Sequence, residues 1–280
     1  MKDKNVLITG ATRGLGLAVA RELWQRGANL ALVARPTQAL ESLAVTLGAR
    51  NGQRLHVLAA DLRDPSAPQR LVAELRQRWD RLDALVNNAG IVGPVGPQWE
   101  NDWQAWQDTI QVNLMAPANL CWLCVRWMTA GGSIVNLSGG GATSPRPNFS
   151  AYATAKAGLV RFTENLALET ATRGIRVNAV APGAMNTEML EAVLRAGSEH
   201  AGGEYQKAVE QKERGGVPPE TAASLVAYLV SEESRGISGR LISALWDPWE
   251  HLADYVEDLN ASDIYTLRRI TPEDRGRSWR

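Results

Sequence analysis

The sequence predicts an α/β fold. It implies a doubly wound parallel sheet in a single domain, residues 1–245, followed by a C-terminal tail extension, residues 246–280. Three observations predict it. Short apolar runs such as Val6–Ile8, Leu30–Val33 and Ala84–Val86 alternate with longer segments of helical character along the whole chain. The runs are continuous rather than alternating, as strands covered on both faces are. No internal repeat or low-complexity linker divides the chain.

Asn5–Thr9 is the first strand. Gly10-Ala11-Thr12-Arg13-Gly14-Leu15-Gly16 turns into a helix that runs to about Arg26 and stops at Gly27. A glycine turn between a strand and an amphipathic helix suits a dinucleotide. The glycines let backbone approach the pyrophosphate, and the helix N-terminus faces it. The sheet is therefore expected to be of the Rossmann type.

Leu30–Ala34 is the second strand, and its end selects the cofactor. A carboxylate there binds the ribose 2′-hydroxyl of NAD, whereas arginine suits a 2′-phosphate. Here Ala34 is followed by Arg35, and Arg13 in the glycine turn is a second cation. Together they favour NADP(H) over NAD(H).

Leu55–Ala60 is the third strand, followed by Asp61-Leu62 and a helix over Pro65–Trp79. Ala84–Val86 is the fourth, leaving through Asn87-Asn88-Ala89-Gly90. Trp99 to about Met128 reads as helical, with a break or kink at Pro117. Ile134–Leu137 is the fifth strand, and Gly139–Gly141, Pro145 and Pro147 make an irregular loop after it. A helix follows from Ser150 to about Thr172, ended by Gly174. Arg176–Ala181 is the sixth strand and Leu241–Ala244 the last. Between them, Glu188–Arg214 is polar and mixed and reads as a partly helical, mobile flap over a substrate, and a helix starts at Val217-Pro218-Pro219-Glu220.

In the tail, Trp246, Trp249, Leu252, Tyr255, Val256 and Leu259 recur at helical steps after Pro248. They predict an apolar helix face that packs on folded protein. It either covers the flap of its own or a neighbouring subunit, or thickens a dimer interface.

Tyr152 and Lys156 lie four apart on the helix after Ser150 and share a face. A hydroxyl, Ser138, ends the preceding strand. With the Thr9–Gly16 turn and Asn87–Gly90 in this order, the sequence resembles the short-chain dehydrogenase/reductase family from Lys4 to about Ala244. The resemblance implies that Tyr152 gives the proton and that Lys156 lowers its pKa and holds the nicotinamide ribose. It implies that Ser138 orients the carbonyl and that Asn113, in Q-V-N-L, supports a proton relay. Gly10, Thr12, Arg13, Gly14, Leu15 and Gly16 would hold the dinucleotide with Arg35. Asp61 and Leu62 would lie beside the adenine, and Asn88, Ala89 and Gly90 along a ribose. Pro182 and Gly183 would pass the nicotinamide, and Thr187 would bind its carboxamide or a phosphate. Asn87 would brace the sheet.

The chemistry has a physical rationale. A free phenol has a pKa of about 10, and lowering it by about three units takes roughly 4 kcal/mol. A nearby ammonium and a charged nicotinamide supply that kind of stabilisation. The expected function is NADP(H)-dependent interconversion of a ketone or aldehyde and an alcohol on a small molecule. An epimerase or dehydratase on the same fold, and a catalytically silent NADP-binding regulatory protein, stay open. The resemblance also implies a homodimer or homotetramer. Two departures stand out: the family's commonest serine-to-tyrosine spacing selects Gly139 rather than Ser138, and the tail replaces a glycine-rich end.

Net charge is zero, so neither nucleic acid nor an anionic membrane is an expected partner. The start, MKDKNVLITG, leads directly into a strand, and no apolar run reaches spanning length, which points to the cytoplasm. Cys121 and Cys124 form C-W-L-C inside a buried-helix pattern and read as small apolar residues rather than a redox pair. His56, His200 and His251 have no ligand spacing, so no metal is expected.

Overall fold

The computed structural model describes residues 1–35, 38–48 and 52–279, and joins seven parallel strands in one sheet. They are β1 (Asn5–Thr9), β2 (Asn29–Ala34), β3 (Leu55–Ala59), β4 (Leu82–Asn87), β5 (Met128–Leu137), β6 (Arg176–Ala181) and β7 (Leu241–Ser243). Their order across the sheet is β3-β2-β1-β4-β5-β6-β7. The winding reverses between β1 and β4, and a crevice opens there beyond the strand ends. Every residue of β1 is buried, which is why its sequence is apolar without alternation.

The helices cover both faces. They are α1 (Gly14–Gln25), α2 (Gln38–Leu47), α3 (Ala67–Arg76), α4 (Trp103–Ile110), α5 (Ala116–Val125), α6 (Ser150–Thr170), α7 (Glu188–Ala201), α8 (Gly203–Arg214), α9 (Pro219–Val230) and α10 (Val256–Ala261). Leu23 and Trp24 of α1 pack with Leu225 and Leu229 of α9 on one face of the sheet. Leu75 of α3, Leu120 of α5 and Leu166 of α6 pack on the other. No described helix is long and apolar enough to cross a membrane.

One helix departs from expectation. Helix α2 falls where no helix was anticipated, and it buries only Leu40 and Leu43. Between Trp99 and Met128 the chain forms α4, a π-helical turn at Gln111–Met115 and α5. The helical run is unbroken from Trp103 to Val125, and the wider π turn falls just before Pro117, which has no N–H to close an α-turn. The flap is two helices, α7 and α8, parted at Gly202, with a non-helical Gly197 inside the first.

The tail is not one amphipathic helix. It forms a 3₁₀ segment at Trp249–Tyr255, the short α10, and then irregular chain with a further 3₁₀ turn at Glu273–Arg275. Leu252 and Leu259 are buried against the α1/α9 core, while Trp246 and Tyr255 are exposed. Arg240 explains the irregularity: its guanidinium donates to the carbonyls of Leu259, Ser262 (3.1 Å) and Ile264 (2.6 Å). Those carbonyls are held by a buried cation, so the helix stops at Ala261. Beyond it, the N–H of Leu241 in β7 donates to the Tyr265 carbonyl at 2.8 Å. The N–H of Leu267 donates to Glu164 of α6 at 2.6 Å.

Candidate active site

Helix α6 begins at Ser150 and carries Tyr152 and Lys156 inward; they are 6% and 3% exposed. The Lys156 ammonium donates to the Leu137 carbonyl at 2.7 Å, so the end of β5 fixes it. Its Nζ lies 5.7 Å from the centre of the Tyr152 ring. Burial lowers the Lys156 pKa from 10.5 to about 8. Burial also pushes the Tyr152 phenol up, and the Arg146 guanidinium opposes that rise. Two cations thus stand near the phenol, the Arg146 guanidinium 5.6 Å and the Lys156 ammonium 5.7 Å from its ring centre.

The family's serine position explains the environment of the phenol. A Cβ built on Gly139 would collide with the Tyr152 hydroxyl and stand 3.2 Å from its Cζ. Ser138, one residue earlier, is 4% exposed, and its Oγ is enclosed without a hydrogen-bond partner. Its backbone N–H donates to Val180 at 2.8 Å, which keeps it in the sheet ladder. The Tyr152 phenol faces Gly139, while the Ser138 hydroxyl expected to orient a carbonyl is buried without a partner.

Asn113 sits in the π turn, fully buried. Its Nδ2 donates to the Ile91 carbonyl at 2.8 Å, and its Oδ1 accepts from the Ile91 N–H at 2.9 Å. Both halves of the amide thus hold the chain just after Gly90. A mid-helix asparagine and a widened turn recur together at functional positions for such reasons. Around Gly90 the site closes. A Cβ there would lie 3.3 Å from Asn113 Oδ1, 3.4 Å from Met189 Cε and 3.7 Å from Lys156 Nζ.

The glycine turn faces the same crevice. Gly10 has φ +68°, and a Cβ on it would meet Ala89 Cα at 2.8 Å. A Cβ on Gly16 would run into the Gly10 carbonyl, so the start of α1 packs directly on the turn. Asn88 locks both, its Nδ2 donating to the carbonyls of Thr9 (2.9 Å) and Gly10 (3.0 Å). Its side chain is thereby spent on the turn. Asn87 donates to Asn136 at 2.8 Å across β4 and β5. The N-terminus of α1 has no side-chain cap and no acidic residue in its first turn, which leaves its N–H groups for an anion.

Among the other expected residues, Leu15 and Leu62 are buried in the core, and Thr12 is half-buried. Arg35 is exposed at the end of β2. Arg63 holds the Asp61 carboxylate and lowers its pKa. Gly183, after the half-buried Pro182, has φ +88°, with its Cβ direction facing Val217 at 3.2 Å. Thr187 caps α7, its methyl 3.6 Å from the Cβ direction of Gly14, and Arg13 is ion-paired with Glu188. The flap is thus tied to the glycine turn.

Four residues escaped the sequence reading. Met189 of α7 accepts from the Tyr152 hydroxyl at 3.9 Å. Arg146 lies over the rings of Phe149 (4.1 Å) and Tyr152 (5.6 Å) and pairs with Glu204 of α8 at 3.0 Å. Leu190 and Val193 of α7 bury themselves with Val92, Phe149 and Tyr152. None of these has a local signal, because the tertiary fold brings the flap to the loop. Cys121 and Cys124 are buried free thiols, with Cys121 pushed up to about 12 by burial, so redox use is disfavoured. Among the described residues no cluster of three His, Cys, Asp or Glu forms a metal site.

The glycine turn fits a nicotinamide dinucleotide: Gly10 and Gly16 let it pack tightly on Ala89 and the start of α1, and the uncapped N-terminus of α1 stands beside it. A glycine turn at the switch point of a Rossmann sheet, with a buried tyrosine and lysine one helical turn apart, defines a nucleotide-dependent oxidoreductase. The chain belongs to the short-chain dehydrogenase/reductase family, whose model, described as short chain dehydrogenase, matches residues 4–197. It is an NAD(P)-dependent oxidoreductase acting on CH–OH and C=O groups.

The chain is 34% identical over 243 residues to the 3-oxoacyl-[acyl-carrier-protein] reductase FabG of Escherichia coli, covering 86% of this chain and 95% of the relative. It is 33% identical over 248 residues to human dehydrogenase/reductase SDR family member 4, covering 86% of each. A short chain dehydrogenase from Burkholderia cenocepacia, solved in complex with NADP, superposes with a TM-score of 0.74 at 31% identity, covering 86% of this chain and 96% of that one.

Proposed function

We propose that the protein uses NADP(H) to interconvert a ketone or aldehyde and an alcohol on a small molecule. The observation that supports this reading is the meeting of Lys156 and Asn113 at Gly90, with the Tyr152 ring centre 5.7 Å from the Lys156 ammonium. The cofactor, when bound, supplies the hydride. Tyr152 gives its phenolic proton to the carbonyl oxygen as the alcohol forms. Lys156, anchored on Leu137, sets a positive charge under the phenol. Asn113 fixes the Ile91 backbone and with it the cradle at Gly90. Leu190 and Val193 exclude water from the tyrosine.

Arg35 and Arg13 support the preference for NADP(H), as does the NADP complex of the Burkholderia relative. The FabG relative, a 3-oxoacyl reductase by name, supports the carbonyl direction. Self-association belongs to the same proposal: Trp122 of α5 and Leu168 of α6 are large apolar side chains left exposed on long helices.

NADPH consumption against a carbonyl panel tests the proposal. At least one compound should be reduced, and Tyr152→Phe should cut that rate by about 10²–10⁴ while NADPH still binds. NADPH binding without turnover of any carbonyl would sink the proposal.

A further inference from the structure

We infer that Arg146 anchors the substrate through a carboxylate, so that the compounds handled are oxo acids and hydroxy acids with an apolar body. This deepens the function proposed above and rests on it.

Four observations carry it. Gly139 offers no side chain beside the phenol, and the Ser138 hydroxyl next to it is buried. A substrate held only by Tyr152 would pivot; another handle is needed. Arg146 is that handle by position. It lies in the loop between β5 and α6, with its guanidinium 5.6 Å from the centre of the Tyr152 ring and Nη1 3.9 Å from the Cβ direction of Gly140. Stacking on Phe149 at 4.1 Å fixes the plane of the fork and leaves its edge to bind a carboxylate.

The partner of Arg146 in this structure is itself a carboxylate, Glu204, at 3.0 Å. It belongs to α8 of the flap, the part that must lift for a substrate to enter. Glu204 also pairs with Lys207 at 2.9 Å, so it can release Arg146 without losing every counter-charge. Glu204 thus stands where a substrate carboxylate would. The other walls beside the tyrosine, Val92, Phe149, Leu190 and Val193, are apolar and suit a hydrocarbon body.

The test uses the full chain with NADPH, short straight-chain oxo acids of graded length, and their methyl esters. For at least one acid, kcat/KM should exceed that of its ester by about tenfold or more, the lower end of a charge-assisted hydrogen bond. Arg146→Met should collapse that ratio towards unity, and Arg146→Lys should keep part of it. Calorimetric binding of the same acids and esters gives a readout that needs no turnover. Glu204→Gln should tighten acid binding by removing the competitor. Equal handling of acid and ester by the unmodified protein would overturn the inference. So would an Arg146→Met variant that weakens both alike, or looser acid binding in Glu204→Gln. If no carbonyl compound is reduced, the proposed function fails, and the acid-over-ester binding difference still decides the role of Arg146.

Discussion

Tyr152 keeps its hydroxyl in the space that a side chain on Gly139 would fill. The two residues sit at opposite ends of the glycine-rich loop, and each sets what the other can be. Replacing Gly139 by serine should therefore not add a helpful hydroxyl; it should drive the phenol off its position. A displacement of about 1 Å costs on the order of a hundredfold in rate. Steady-state kinetics on Gly139→Ser should show that loss in kcat, with the NADPH dissociation constant unmoved. A variant as active as the parent would mean that the loop yields.

Ser138→Ala should behave in the opposite way. The Oγ it removes is buried and unpartnered, and deleting an unsatisfied polar group is neutral or stabilising. Turnover should stay within a few-fold, and the melting temperature should hold or rise. A loss approaching a hundredfold, the usual cost of removing an orienting donor, would return Ser138 to the reaction.

Lys156 makes stability depend on pH with a definite sign. Its pKa falls from 10.5 to about 8 on folding. At pH 7 both states are protonated, and the native state carries the whole cost of burying the charge, about 3 kcal/mol. Between those two values the native state sheds its proton first, so stability climbs with pH. Above 10.5 both are neutral and the difference is gone. Lys156→Met should thus be more stable than the parent at pH 7 by about 2 kcal/mol, once about 1 kcal/mol for the lost bond to Leu137 is subtracted. Denaturant titrations at neutral and at alkaline pH should show the gap closing, while activity is lost throughout.

Cofactor choice should turn on Arg35. Arg35→Asp should weaken NADPH binding by about 1.5–3 kcal/mol, the worth of a charge-assisted contact. NADH should be affected far less. Dissociation constants for both nucleotides check this, and tighter binding of NADH by the unmodified protein would contradict it.

Sequence patterns made the sheet and most of its helices legible because their causes are local. Val6–Ile8 is apolar because β1 is sealed on both faces, and Gly10 has a positive φ that only a small residue tolerates well. Tyr152 and Lys156 could be paired from helical spacing alone. Helix α2 was missed because two buried leucines make too thin a stripe. The tail had helical periodicity, yet a buried arginine from another element, Arg240, claims its carbonyls and stops the helix. Counting residues selected Gly139, but only the fold reveals which α-carbon faces the phenol and what Arg146 stacks upon. These are long-range contacts, and no window of sequence contains them.

The bond from Leu241 to the Tyr265 carbonyl has a consequence for the protein's life in a crowded cell. β7 is the outermost strand on its side of the sheet, and an outermost strand offers unpaired amides to any passing chain. The returning tail meets that demand from within the same molecule. It acts as a self-supplied terminator of the sheet, anchored by Arg240 and Glu164, so strand-by-strand polymerisation finds no open template there.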